Sequence, residues 1–168
     1  MALSIVSCSS KDKDAKKPAD YGNYGADFAR KLSVQYPGRK AYSSDEAYAG
    51  DMIAEELEKY GFEVKKQKFS NANGQSSQNY VVHIEGKGFI EVDEDGNKIG
   101  EIRRKAVIGA HYDSFLGLEE IPDDRSYDAI SDNSSGVGCI ITIARHIMDY
   151  KDIGFDVDLV LFGASTDN

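Results

Sequence analysis

The chain has 168 residues, of which 40% are hydrophobic and 29% are charged, which is enough apolar content for one folded domain with a core. Its formal net charge is −9, and this acidic balance argues against nucleic acid as a partner, because binding phosphates requires a basic face. No apolar run reaches the ~18 residues that a membrane-spanning helix needs. The two cysteines, Cys8 and Cys139, are far apart, so neither a disulfide framework nor a cysteine-rich metal site is indicated.

Residues 1–20 resemble a shortened lipoprotein signal followed by a flexible tether. A short aliphatic stretch precedes Ser7-Cys8, an order typical of the site where a bacterial lipoprotein is cleaved and its cysteine lipidated. The apolar stretch is shorter than in a complete signal and no basic segment precedes it, so a disordered N-terminus with an incidental cysteine is the alternative. The sequence therefore predicts lipidation at Cys8, a location in the cell envelope or outside the cell, and membrane contact only through that anchor.

Two amphipathic helices are predicted next. Aromatic and aliphatic side chains recur every four positions over residues 24–36. A second apolar stripe follows a Pro-Gly turn, begins at Ser44 as the N-cap and runs to about Tyr60, with Gly61 as its C-terminal cap.

Alternating side chains then predict strands over 62–69 and 79–86, followed by a hairpin that turns at Asp95-Gly96. The apolar segment 105–114 predicts a strand that ends in polar groups. A long acidic loop and an apolar helix over 131–150, in which Cys139 is expected to be a small buried thiol, lead to the last strand.

That last strand covers residues 155–164. The order of strand, loop, helix and strand is a βαβ unit, and it implies a partly parallel sheet with helices on its faces.

Polar side chains stand where the predicted strand 105–114 ends, a common place for functional groups in α/β folds. His111 and Asp113 are two residues apart, so an extended backbone directs both side chains to one face. A histidine that binds a metal through one ring nitrogen needs an acceptor at the other, and Asp113 is within reach to serve. On these residues alone, a structural histidine remains the favoured interpretation.

Asp132 stands in the run SDNSSG, the cap residues that open the segment 131–150 just before its apolar helical part. Taken alone, it is best interpreted as a helix cap or turn residue. Its carboxylate also suits a metal ligand that bridges two cations, and Gly136 lets a backbone or a substrate approach closely.

The order of these motifs resembles the di-zinc aminopeptidase family, which includes zinc-dependent glutaminyl cyclases. The similarity is carried by VIGAHYDS, an acidic loop, SDNSSGVG, an apolar helix and LVLFGA. It implies an α/β fold, a three-layer αβα sandwich with a mixed, partly parallel sheet. It also implies that residues 21–168 form the N-terminal part of a zinc-peptidase-like catalytic domain, truncated at the C-terminus.

The same resemblance assigns roles to the candidate residues. It implies that His111 is a ligand of the first zinc, that Asp132 bridges two zinc ions and that Asp113 orients His111. The family then carries a Glu-Glu pair, a general base and a further ligand, directly after the strand equivalent to LVLFGA. Here those positions are Ser165 and Thr166, and Asp167 is the nearest acid.

A hydroxyl group cannot replace a general base with a carboxylate-like pKa. The family's later Asp and His ligands also have no counterpart here. We therefore expect a gene fragment, a frameshift near residue 165 or a truncated form, which leaves the apolar edge 159–162 exposed and is inactive by itself.

The leading functional hypothesis is a zinc-dependent aminopeptidase, a hydrolase that removes N-terminal residues from peptide or protein substrates with two zinc ions. A glutaminyl cyclase on the same fold is the first alternative. The second is a non-catalytic cell-surface binding protein, in which Ser165 and Thr166 reflect a real loss of the base.

Overall fold

The computed structural model describes residues 22–114, 129–150 and 152–166. The predicted tether 1–20 with Cys8, the acidic loop 115–128 and Asp167 lie outside the described residues. The helices and strands in the described ranges are α1 (Asn23–Gln35), α2 (Ser44–Lys59), β1 (Val64–Ser70), β2 (Ser76–Ile84), β3 (Phe89–Val92), β4 (Lys98–Ile102), β5 (Lys105–His111), α3 (Ser135–Ile147) and β6 (Asp156–Phe162). None of these helices is both long and apolar enough to cross a membrane.

The main sheet is mixed, as the sequence predicted, with strand order β1-β2-β6-β5. β1 pairs antiparallel with β2, and β2 pairs antiparallel with β6. β5 and β6 are parallel and are joined through α3, which confirms the βαβ unit. The hairpin of β3 and β4 forms a separate two-stranded sheet and turns at Gly96, whose φ of +84° suits glycine.

The core lies between one face of the main sheet and the three helices. Alternate residues of β6 point to this face, and Leu159 and Leu161 are fully buried there. Ile53 and Leu57 of α2 belong to the same buried cluster, together with residues from α1 and α3. The α/β class with a mixed sheet is therefore confirmed, and within the described ranges this one cluster joins every helix to the sheet.

Two details of the helices differ from the sequence prediction. Ser43, not Ser44, caps α2: its Oγ accepts a hydrogen bond of 3.1 Å from the Glu46 backbone N–H. Cys139 is exposed rather than buried, because the face of α3 that packs on the core is set by Val137, Ile140 and Ile141. The first error is a shift of one position along a correctly predicted helix, and the second assigns a residue to the wrong face of one.

The prediction that the apolar stretch 159–162 forms an exposed edge is wrong. β6 lies inside the sheet between β2 and β5, so its backbone is paired on both sides. Leu159, Val160 and Leu161 are buried, and Phe162 is the one residue of the stretch that is exposed.

Two glycines let α1 and α3 pack at close range. A Cβ added at Gly138 would lie 2.5 Å from the backbone oxygen of Gly25, and a Cβ added at Gly25 would lie 2.2 Å from the Gly138 oxygen. Real Cβ atoms do not approach a backbone oxygen this closely, so any side chain at either position forces the helices apart. The close approach matters for the site because Asp132 lies in the short segment that leads into α3 at Ser135.

We expect Gly138→Ala to lower the free energy of unfolding. Alanine adds about 1 kcal/mol of helix propensity, but a Cβ 2.5 Å from a backbone oxygen belongs to the upper part of the overpacking cost of about 1–3 kcal/mol, so the net loss is about 1–2 kcal/mol. Urea unfolding followed by circular dichroism measures it. Cys139→Ala, at the exposed neighbouring position, should change stability by no more than about 0.5 kcal/mol. A Gly138→Ala protein as stable as the original chain would contradict the close packing of α1 and α3.

Candidate zinc site

The site is built at the edge of the sheet where the parallel strands β5 and β6 end. His111, the last residue of β5, lies opposite Phe162, the last residue of β6. The ladder extends one residue further, because the Tyr112 N–H donates to the Phe162 oxygen over 3.0 Å. Both strands therefore deliver their following residues to the same edge, the usual position of functional sites in such sheets.

The structure brings His111 and Asp132 together, as the sequence analysis expected. His111 Nε2 lies 3.1 Å from Asp132 Oδ1. The capping hydrogen bond that Asp132 was the alternative candidate for is made by its neighbour. Asn133 Oδ1 accepts the Gly136 N–H over 3.0 Å at the start of α3. The Asp132 side chain is 57% exposed, so an ion from solvent can reach the pair.

Asp113 holds the other side of the His111 ring, but through its backbone. Its carbonyl oxygen lies 3.0 Å from His111 Nδ1, whereas its Oδ1 lies 3.6 Å away, beyond a hydrogen bond. The expected orienting contact is thus made by the main chain of the expected residue. Asp113 is fully buried, and its Oδ1 has no hydrogen-bond partner within the described residues.

The chemistry of this pair suits a metal ion. A carbonyl oxygen only accepts, so the contact with Asp113 places the ring proton on Nδ1 and leaves the Nε2 lone pair of a neutral His111 facing the Asp132 carboxylate. Two acceptors at this distance repel unless a proton or a cation lies between them. Nitrogen and oxygen ligands of one tetrahedral zinc are about 3.4 Å apart, close to the observed separation.

The pair provides two ligands. No group of three or more His, Cys, Asp or Glu side chains able to hold a metal occurs within residues 22–114, 129–150 and 152–166. A catalytic zinc commonly has three protein ligands, so His111 and Asp132 fit part of such a site.

The turn after β6 is anchored to Asp113. The Thr166 N–H and hydroxyl both donate to Asp113 Oδ2, over 2.8 and 2.6 Å. Thr166 is therefore half-buried with its hydroxyl bonded to a carboxylate, while Ser165 beside it is exposed. The two residues at the positions of the expected Glu-Glu pair thus act in different ways: Thr166 binds Asp113, and Ser165 is the more exposed of the two.

Glu46 holds the same turn from the opposite side, a role that the sequence analysis missed. It is 2% exposed, and its Oε1 accepts hydrogen bonds from the Ala164 N–H at 2.7 Å and from the Ser77 hydroxyl at 2.6 Å. Its Oε2 accepts the Tyr42 N–H over 2.6 Å. Burial raises the pKa of Glu46 above its usual value, although these hydrogen bonds oppose the shift. Glu46 is an acid at a position in phase with the apolar stripe of α2, and this is the sequence signal that could have indicated its burial.

Arg39 was also missed. It is fully buried and its guanidinium donates to the backbone oxygens of Tyr112 and Ala129, on the two segments that carry the candidate ligands. The residue lies in an irregular loop, where no periodicity marks a side chain as buried.

The other two histidines lie apart from this site. His83 is on β2, where its Nδ1 lies 2.6 Å from Asp158 Oδ1 on the neighbouring strand. His146 is buried near the end of α3, with Nδ1 3.9 Å from Asp149 Oδ2. Both positions suit structural or surface residues.

The fold of this α/β protein is similar to the folds of solved zinc-dependent exopeptidases and glutaminyl cyclases. The similar solved structures include a Zn-dependent exopeptidase from Parabacteroides distasonis, with a TM-score of 0.61 and 20% identity, covering 86% of this chain and 47% of that one. A glutaminyl cyclase from Tannerella forsythia has a TM-score of 0.62 and 22% identity, covering 86% and 47%. A leucine aminopeptidase precursor from Bacteroides thetaiotaomicron has a TM-score of 0.61 and 16% identity, covering 87% and 48%.

The resemblance drawn from the sequence motifs is therefore confirmed at the level of the fold. The chain spans about half the length of the solved structures that it matches. No protein-family model and no curated protein sequence matches it.

The raised pKa of Glu46 predicts how the free energy of unfolding depends on pH. The folded state binds the proton of the Glu46 carboxyl group more tightly than the unfolded state does, so protonated Glu46 stabilises the fold at low pH. That contribution is lost as the pH rises from the ordinary value of 4.5 through the folded pKa. We expect the free energy of unfolding of the original chain, relative to Glu46→Gln, to fall over this window.

Urea unfolding at a series of pH values measures the difference between the two proteins. Glu46→Gln also carries a pH-independent loss of about 1–3 kcal/mol, because its amide N–H group faces the Tyr42 N–H. The matched control is Glu55→Gln, on an exposed position of the same helix. A difference between the original chain and Glu46→Gln that does not change with pH would show the assigned pKa direction to be wrong.

Proposed function

We propose that this chain carries part of the active site of a zinc-dependent exopeptidase that hydrolyses N-terminal peptide bonds. The observation that supports it most directly is the 3.1 Å approach of His111 Nε2 to Asp132 Oδ1, beside the ends of two parallel strands. The fold shared with solved exopeptidases and aminopeptidases supports the same class. The N-terminal sequence supports a location in the cell envelope, with lipid on Cys8.

In this proposal the chain's own residues position and bind. The Asp113 carbonyl keeps the proton on His111 Nδ1, so that Nε2 is a ligand, and Asp132 supplies a carboxylate oxygen. Zinc bound there would polarise a peptide carbonyl and lower the pKa of a bound water. With two zinc ions, as in the di-zinc aminopeptidases, Asp132 would be the bridging ligand.

The turn after β6 does not supply a general base within the described residues. The Thr166 hydroxyl donates to Asp113, and the Ser165 hydroxyl has a pKa far above that of a carboxylate. The complete reaction therefore requires a base that residues 22–114, 129–150 and 152–166 do not place here.

Glutaminyl cyclase activity is the second candidate. It is supported by the glutaminyl cyclases among the similar structures, which share this fold at similar TM-scores. The two candidates differ in the reaction and in the substrate. Assays of aminoacyl and glutaminyl substrates distinguish them.

The first prediction from this proposal concerns metal binding. We expect the purified chain to bind zinc, and His111→Ala or Asp132→Ala to weaken that binding at least 100-fold, because either change leaves a single ligand of the pair. Competition with a chromophoric chelator measures the affinity. His83→Ala, which removes a histidine paired with Asp158 on the sheet, is the matched control and should leave the affinity unchanged. Equal zinc affinity in all four proteins would exclude the proposed ligands.

The second prediction concerns turnover. We expect the 168-residue chain with added zinc to show no hydrolysis of aminoacyl chromogenic substrates and no cyclisation of glutaminyl substrates, because general-base catalysis commonly contributes ~10²–10⁴-fold. Chelator treatment and His111→Ala serve as controls for any background. Turnover that both controls abolish would contradict this expectation and would identify the chain itself as an enzyme.

A further inference from the structure

We propose that Arg39 is a positioning residue for the zinc site, which holds the segments of His111 and Asp132 at the distance that a shared metal requires. The inference rests on the proposed function, because the separation of the two side chains matters to activity only if they share a metal. The hydrogen bonds of Arg39 that carry this inference go to residues on either side of the candidate ligands. Its action runs through the backbone on either side of them.

The first set of contacts fixes the segment after β5. Arg39 Nε donates to the Tyr112 oxygen over 2.6 Å, and the Arg39 carbonyl oxygen accepts the Ser114 N–H over 2.9 Å. Tyr112 follows His111 directly, and Ser114 follows Asp113. One residue thus binds the chain on both sides of the carbonyl group that orients the His111 ring.

The second set fixes the segment that carries Asp132. Arg39 Nη2 donates to the Ala129 oxygen at 3.2 Å and to the Ser134 hydroxyl at 2.8 Å. These residues enclose the irregular turn of Ile130–Ser134 in which Asp132 has non-helical backbone angles. Ser33 on α1 also donates to the Ser134 hydroxyl, over 2.7 Å, so the turn is held from two directions.

The Arg39 side chain itself is held in place. Arg39 Nη1 donates to the Tyr36 oxygen at the end of α1, over 3.1 Å, and the side chain is fully buried. A planar guanidinium in a dry environment has few alternative orientations, and its fork matches acceptors that lie in different directions. Lysine keeps the charge but has a single nitrogen, so it cannot reach the same acceptors together.

The expected effect is on metal affinity, not only on folding. Zinc tolerates ligand displacements of about 0.2 Å, so a small relaxation of either segment weakens binding. Groups that orient metal ligands commonly contribute 10–100-fold to affinity. We therefore expect Arg39→Lys to weaken zinc binding by about 10–100-fold, and Ser134→Ala, which removes one acceptor, to weaken it severalfold.

The experiment measures zinc affinity of the full chain, Arg39→Lys, Ser134→Ala and the double variant, at a temperature where each is folded by circular dichroism. Absorption spectra of the Co²⁺-loaded proteins report ligand geometry, which a purely structural role of Arg39 would leave unchanged. The matched control is Arg30→Lys, on an exposed arginine of α1 paired with Asp27. We expect a weaker affinity and an altered Co²⁺ spectrum for Arg39→Lys, and neither for Arg30→Lys.

The outcomes separate the two proposals. If the original chain binds zinc and folded Arg39→Lys binds it equally well, the positioning role is overturned while the zinc site stands. If Arg39→Lys does not fold, Ser134→Ala decides, and an unchanged affinity in that variant overturns the role. If the original chain binds no zinc, the proposed function fails and this inference fails with it.

Discussion

The parallel pairing of β5 with β6 is the constraint on which the rest of the site depends. Because the two strands end level with each other, the residues that follow them emerge at one edge, and the Thr166 N–H and hydroxyl reach the Asp113 carboxylate. α3 connects the strands, so the segment that leads into it, with Asp132, lies at the same edge. A change of register by one residue would turn every side chain of β5 to the other face and separate the proposed ligands.

Buried polar groups then fix the loops that regular hydrogen bonding does not reach. Arg39, Glu46 and Asp113 are each almost completely removed from solvent, and each bonds to backbone groups of a neighbouring loop. Burying such groups is costly unless they are well paired, but a satisfied network admits few alternative conformations. The site thus gains a defined geometry from residues that would not bind a metal themselves.

The sequence predicted those features of the fold that depend on local patterns. Periodicity located the helices and the βαβ unit, and the motif order around His111 and Asp132 indicated the fold. The central position of β6 was not predictable in this way, since strand order depends on contacts distant in sequence, here with β2. Arg39 was missed for a related reason: its partners are 73 and 90 residues away, and nothing nearby in the chain signals them.

The position of β5 in the sheet has a consequence for how the protein behaves at high concentration. In the described part of the chain β5 pairs only with β6, so its other backbone edge can accept a strand from a second molecule. Lys105 is the one lysine, arginine or acidic residue of the strand, and Val107 is 61% exposed. A strand added there would lie alongside His111, so self-association would restrict access to the metal ligands even while the fold stayed intact.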